Sequence, residues 1–363
     1  MIKQNRLIKT FLELVKIDSP SGEEKEVAKY VAKRLEQLGA KVEFDNYGNV
    51  IGKIKGKGEP LMLNAHLDTV EPGKNIKPIV EKDIIKSDGT TILGADPKAG
   101  VSIILETLTS IKEDNTPHVP IEVVFTLGEE LGLFGAVNLD YKKITAKRGI
   151  TFDGEEGVHN ISISAPGYNR VDATIIGKGT HAGAAPEKGI SAIKIASEII
   201  ANLDVGRIDF ETTANIGLIS GGTARNAVPE KAHFKGEVRS RNIKKLEKHT
   251  SHFKKVFSNV MKKYPIAKGE LDIKREFDPY IFEEDHRVIK HISNILNGMG
   301  IKPNLFHSGG GTDVNIFHDY GIEAIVVGTG GYEAHTIREY VIIPQMLQAA
   351  KFCEKIVFLP SFC

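Results

Sequence analysis

The sequence predicts an α/β protein, a mostly parallel sheet flanked by helices and interrupted by an inserted α+β domain. Three observations predict it. Strand-like runs alternate with helix-length amphipathic runs over residues 1–165, the pattern of parallel strands joined by helical crossovers. Near Ala165-Pro166-Gly167 the order changes to strand, helix, two strands, helix, strand. After Asp278-Pro279 the α/β alternation resumes. A chain of 363 residues also exceeds one ordinary core. The expected division is therefore 1–165, an insert at 166–277, and 278–363.

Each element has a local reason. Leu7, Phe11, Leu14 and Val15 share one helix face, ended by Ser19-Pro20-Ser21-Gly22. Val27, Val31, Leu35 and Leu38 make a second helix, which Gly39 stops. Strands are expected at 41–44, at 50–54 after the Asn46-Tyr47-Gly48-Asn49 turn, and at 61–65. Leu93-Gly94-Ala95-Asp96-Pro97 opens a helix through Val101, Ile104, Leu105, Leu108 and Ile111, and the strand 121–127 follows. In the insert, strands are expected at 171–176, 216–219, 233–239 and 269–275. Its helices are expected at 190–203 and through Leu246, Phe253, Phe257 and Val260. The last part holds a helix through Val288, Ile292 and Leu296, a strand at 323–327 and a final helix at 343–356.

Composition narrows the function. Forty-eight basic and 47 acidic residues leave a net charge of +1, which gives no field to gather nucleic acid or an anionic membrane. No apolar run reaches the ~20 residues that span a bilayer. Two cysteines, Cys353 and Cys363, make no disulfide framework, so a cytoplasmic location is expected. Of the 12 histidines, His118, His249, His252, His286, His291 and His318 lie in polar surroundings or on helix faces and are expected at the surface.

Acidic and histidine residues recur where strands give way to turns. His66 and Asp68 follow the strand 61–65, Asp96 precedes its helix, and Glu129 and Glu130 follow the strand 121–127. Asp153 follows Gly149-Ile150-Thr151-Phe152, and His335 lies in the glycine-rich connection after Val327. Open α/β sheets bind ligands outside the carboxyl ends of their strands. Asp, Glu and His converging there form a metal-ligand inventory suited to two zinc ions about 3.5–4 Å apart. Taken singly, each has an ordinary reading: Asp96 as a helix cap before proline, Glu129-Glu130 as a solvated helix start, Arg239 as a partner of Glu237.

In this order the set resembles the zinc-dependent exopeptidase and amidohydrolase family that includes peptidase T, aminoacylase and carboxypeptidase G, over essentially the whole chain. The likeness is closest to peptidase T-like members, through Leu93-Gly94-Ala95-Asp96, Arg239 and Gly328-Thr329-Gly330-Gly331-Tyr332. It implies that His66 and Asp153 bind one zinc, Glu130 and His335 the other, and that Asp96 bridges them. Asp68 would hydrogen-bond the free ring nitrogen of His66, fixing its tautomer. Glu129 would be the general base. From the insert, a lid and dimerisation domain in the family, His181 would stabilise the oxyanion, usually across a homodimer. Asn226 and Arg239 would hold the substrate carboxylate, above a floor in Gly309–Asp313 that includes Gly310 and Thr312.

The implied activity is hydrolysis of short peptides by an aminopeptidase with two zinc ions per chain, cobalt or manganese being possible substitutes. An N-acyl amino acid is the alternative substrate. A different class, an inactive metal-binding or assembly module, would require a lost ligand or base. Gly309 stands where peptidase T carries an arginine, which removes one grip on a tripeptide's carboxylate. The family also holds the peptide bond after the bridging aspartate cis, and Pro97 makes that isomer cheaper, about 0.5–1 kcal/mol against 2.5–4 for other residues.

Overall fold

The structure, a computed structural model, describes residues 1–358. It divides into two compact units. The first comprises Met1–Ser164, Phe282–Ser308 and the chain from Thr312; the second comprises Ala165–Ile281 with Gly309–Gly311.

In the first unit the sheet runs in the order Lys41–Phe44, Val50–Ile54, Ile121–Thr126, Leu61–His66, Arg148–Glu155, Glu323–Tyr332, Tyr340–Ile342, Ile84–Lys86 and Ile79–Glu81. The middle four of these, from Ile121–Thr126 to Glu323–Tyr332, pair in parallel. Antiparallel partners extend both edges. Every residue of Leu61–His66 and of Ile121–Thr126 is buried, as expected for strands covered on both faces. The helix Ala95–Asp114 lies on these strands and packs against Gln4–Val15 and Ile343–Val357. It fits because Gly100 has no Cβ: one built there would stand 1.9 Å from the Phe152 carbonyl oxygen. The Asp96–Pro97 bond is cis.

The second unit is a five-stranded antiparallel sheet ordered Gly206–Arg207, Thr212–Gly221, Lys231–Ser240, Gly167–Ile176 and Lys268–Phe277. The helices Ala192–Ala201 and Ile243–Met261 bury Ile195, Ile199, Leu246, Phe253 and Phe257 in one cluster with Val171, Phe234 and Val238 of the strands.

Several local expectations change. The glycines after Val327 continue the strand to Tyr332, so the connection carrying His335 begins only after it. Asp153 lies inside the strand Arg148–Glu155 rather than beyond its end. His318 is not a surface residue: its Nε2 meets the Ala324 carbonyl at 3.2 Å and its ring stands edge-on to Phe282. Cys353 is buried, and Cys363 lies outside the described residues. Among the described residues, no helix is long and apolar enough to cross a membrane.

Candidate metal centre

The centre is assembled at the carboxyl ends of the parallel strands. His66 is the last residue of the strand Leu61–His66, and the chain turns so that Asp68 folds back beneath it. Asp68 Oδ1 lies 3.3 Å from His66 Nδ1. The same carboxylate accepts the Ser21 hydroxyl at 2.7 Å and the backbone N–H groups of Glu129 at 3.0 Å and Glu130 at 3.2 Å. One buried carboxylate thus orients an imidazole and fixes the backbone of two further acids.

With Nδ1 engaged, His66 Nε2 faces Asp96 Oδ1 at 3.0 Å and Asp153 Oδ1 at 3.1 Å. The other carboxylate oxygen of Asp96 lies 3.2 Å from His335 Nε2, which is also 2.8 Å from Glu130 Oε1. Asp96 therefore stands between two imidazole nitrogens, each joined by one more carboxylate. Within each of the triads His66–Asp96–Asp153 and Asp96–Glu130–His335, one donor atom per residue lies within 4.8 Å of the others. A third such group joins His66 to Glu129 and Glu130.

The electrostatics call for cations. Were all five ionised, Asp68, Asp96, Glu129, Glu130 and Asp153 would outweigh His66 and His335 by three charges even with both rings protonated. Burial, reinforced by Asp96 and Asp313 against the pull of His66, pushes the Asp153 carboxyl up to about 7. Burial likewise raises Glu129 well above the carboxylate range, with Asp153, Asp313 and Glu130 adding to it against His66. Hydrogen bonds from His335 and His66 outweigh burial and hold Asp96 far below that range. Bonds to Asp96 and Glu130 push His335 up to about 11. A largely buried nitrogen–oxygen donor set, two triads that share Asp96, is what divalent ions bind by displacing protons, so these residues fit a metal pair.

The residues expected to meet substrate are not members of these triads. His181 ends the two-residue strand Thr180–His181, which pairs with Ala227–Val228. Its Nδ1 accepts the N–H groups of Gly183 and Ala184, both at 3.1 Å, so a neutral ring carries its proton on Nε2. His181 and Asn226 line one cavity of about 880 Å³ in the second unit, with Thr223 and His233. Arg239 forks onto Glu237 at 2.9 and 3.1 Å and lies over the Tyr168 ring. Thr312 caps the helix Asp313–Asp319, accepting the Val314 N–H, while Gly310 lies in the Gly309–Gly311 segment grouped with the second unit.

One buried acid here has no expectation behind it. Glu339 accepts backbone N–H groups from Leu93, Gly94 and Asp96. Burial and the charge of Asp96 push its carboxyl up to about 7 against those bonds. Its position four residues after His335 was the only available signal.

Comparison with known proteins adds the following. Residues 163–265 match the peptidase dimerisation domain of M20 type, and residues 49–154 match peptidase family M28. The aminopeptidase PepT of Bacillus cereus superposes with a TM-score of 0.90 at 37% identity, over 98% of each chain. A tripeptidase of Staphylococcus aureus superposes with a TM-score of 0.94 at 34% identity, over 99% of each chain. Peptidase T of Clostridium botulinum is 27% identical over 97% of this chain and 98% of its own.

Proposed function

The chain belongs to the peptidase family of these PepT and tripeptidase structures, and from that premise we infer that it is a dinuclear metallopeptidase hydrolysing short peptides from the amino end. The observation that carries the reading is Asp96, whose two oxygens face His66 on one side and His335 on the other. It is a hydrolase that uses metal; zinc is the ion we assign, because two imidazoles with carboxylates suit it.

His66 and Asp153 would hold one ion, Glu130 and His335 the other, with Asp96 shared. When bound, such a pair supplies Lewis acidity at the scissile carbonyl and lowers the pKa of water. The remaining work falls to side chains. Glu129 lies next to a ligand, and the Asp68 carboxylate anchors its backbone. Its raised proton affinity suits it to take a proton from the attacking water and return it to the leaving amine. Asp68 holds the His66 tautomer that leaves Nε2 free for metal. His181, with Nε2–H as donor, would stabilise the oxyanion as the tetrahedral intermediate forms. Asn226, which lines the same cavity as His181, would grip the substrate carboxylate. Gly310 and Thr312 would supply the backbone floor for substrate, as the family resemblance implies. Arg239 would join only by giving up part of its fork onto Glu237.

Residues 1–165 and 278–363 would form the catalytic domain and 166–277 the lid. The match to a dimerisation domain supports a homodimer built through that insert. Because two cysteines make no disulfide framework, we place the enzyme in the cytoplasm. The test is a screen of di- and tripeptides and N-acyl amino acids with zinc, cobalt and manganese. Release of the amino-terminal residue from short peptides is expected. A metal-loaded protein that cleaves none of them would sink the reading, and cleavage of N-acyl amino acids alone would move it to amide deacylation.

A further inference from the structure

The helix Ala95–Asp114 begins in an unusual way. The first N–H groups of any helix lack partners inside it and normally find a nearby side chain. Here Asp96 and Pro97 are non-helical, with ψ at 105° and 18°, so the regular helix starts only after them, and the turn leading into it passes through Gly94, with φ at 72° and no side chain to offer. The missing acceptor comes from 243 residues away. Glu339 Oε1 accepts Asp96 N at 2.9 Å, and its Oε2 accepts Leu93 N and Gly94 N, both at 2.7 Å. Glu339 is 1% exposed. The buried Lys98 ammonium, anchored on the Ile17 carbonyl at 2.7 Å, supplies nearby positive charge.

The origin of that carboxylate matters more than the bonds themselves. An acceptor within the turn itself would satisfy these N–H groups and nothing else. Glu339 instead belongs to the connection between Glu323–Tyr332 and Tyr340–Ile342, which also carries His335. His335 sits half-exposed in a left-handed conformation, φ 63°. The connection is folded back on itself by Glu339 N donating to Thr336 O at 3.1 Å. One side chain therefore fastens the backbone of Asp96 to the segment presenting His335.

We infer that Glu339 is a positioning residue which fixes Asp96 relative to His335 and thereby makes binding of the two metal ions interdependent. This rests on the dinuclear reading above. Glu339 touches neither metal position itself; it acts through the Asp96 backbone. Glu339→Gln keeps size and burial, but its amide nitrogen must face at least one backbone N–H that now has a carboxylate oxygen. The bridge then loses an arm of its support, while His66 and Asp153 keep their own.

The experiment is titration of metal-free full-length protein with cobalt(II), read by calorimetry and by electron paramagnetic resonance. Wild type is expected to take two ions per chain with a spin-coupled spectrum. In Glu339→Gln the second ion should bind about 10–100-fold more weakly, and the coupled spectrum should appear only at excess metal. With saturating metal, kcat should fall while KM stays within about twofold. Arg338→Ala, which breaks only the exposed pair with Glu333, is the control and should match wild type. If the Gln protein does not fold, Glu339→Asp keeps the charge, draws it back by one methylene, and should weaken the second ion in the same direction. Wild type that binds no pair defeats the dinuclear reading. Wild type that binds a coupled pair, with the folded variant matching it in affinity and spectrum, overturns the Glu339 inference alone.

Discussion

Asp68→Asn separates support of the site from the site itself. The Asp68 carboxylate, with no exposed side-chain surface, accepts from Ser21, Glu129 N and Glu130 N and holds His66 Nδ1. Asparagine has one acceptor oxygen where aspartate has two. Turned to keep His66 and Glu129, it sets its amide against Glu130 N; turned the other way, it strands Glu129 N and offers His66 the wrong tautomer. Either way one buried backbone N–H loses a charged acceptor, at about 1–3 kcal/mol, and the charged partner of His66 is neutralised. Relief of repulsion among the acids does not reverse the sign. Burial opposes ionisation of Asp68, yet the bonds from His66, Ser21 and Glu129 N hold its pKa below the usual value, so the metal-free fold gains from the charge. Together these predict a stability loss of about 2–4 kcal/mol in metal-free protein and about 10–100-fold weaker zinc binding. Denaturant unfolding and chelator competition measure the two. Unchanged affinity and an unchanged midpoint would refute the supporting role of Asp68.

Other expectations are briefer. Glu129→Gln should cut kcat by about 10²–10⁴ while both metals stay bound, by activity and metal analysis; full activity would reassign the base. Gly100→Ala puts a methyl against the Phe152 carbonyl beside Asp153, so overpacking should cost about 3 kcal/mol and weaken metal binding, seen by calorimetry. Burial lowers the His318 pKa below 6.5, so the unfolded chain takes up a proton there first as pH falls. Stability should therefore rise with pH up to about 6.5 and fall on acidification; His318→Gln should flatten that slope in thermal melts, and an unaltered slope would discard the assignment.

Much of the candidate centre was readable because its acids and histidines recur close to where strands give way to turns. Period-two geometry put His66 and Asp68 on one side, while Asp153, expected just past its strand, lies inside it. What escaped is what acts over long sequence separation through the backbone. Nothing local to Glu339 shows that it holds the turn at Asp96, 243 residues earlier, and nothing local to Asp68 shows that it also holds Glu129 and Glu130. Glycines in Gly328–Gly331 read as a loop because their propensity is low, yet pairing with Arg148–Glu155 and Tyr340–Ile342 keeps them in the strand. Arg239 was legible both as a substrate grip and as a partner of Glu237; the structure shows the second contact.

The central claim is that Asp96 is shared by two metal ions. The direct measurement is an anomalous-scattering map from zinc-loaded crystals, with metal analysis of Asp96→Ala alongside. The account predicts two peaks about 3.5–4 Å apart, one beside His66 and Asp153, the other beside Glu130 and His335, with Asp96 between them. It further predicts that Asp96→Ala keeps fewer than two ions per chain. A single peak, or a variant that retains both ions at wild-type affinity, would contradict it.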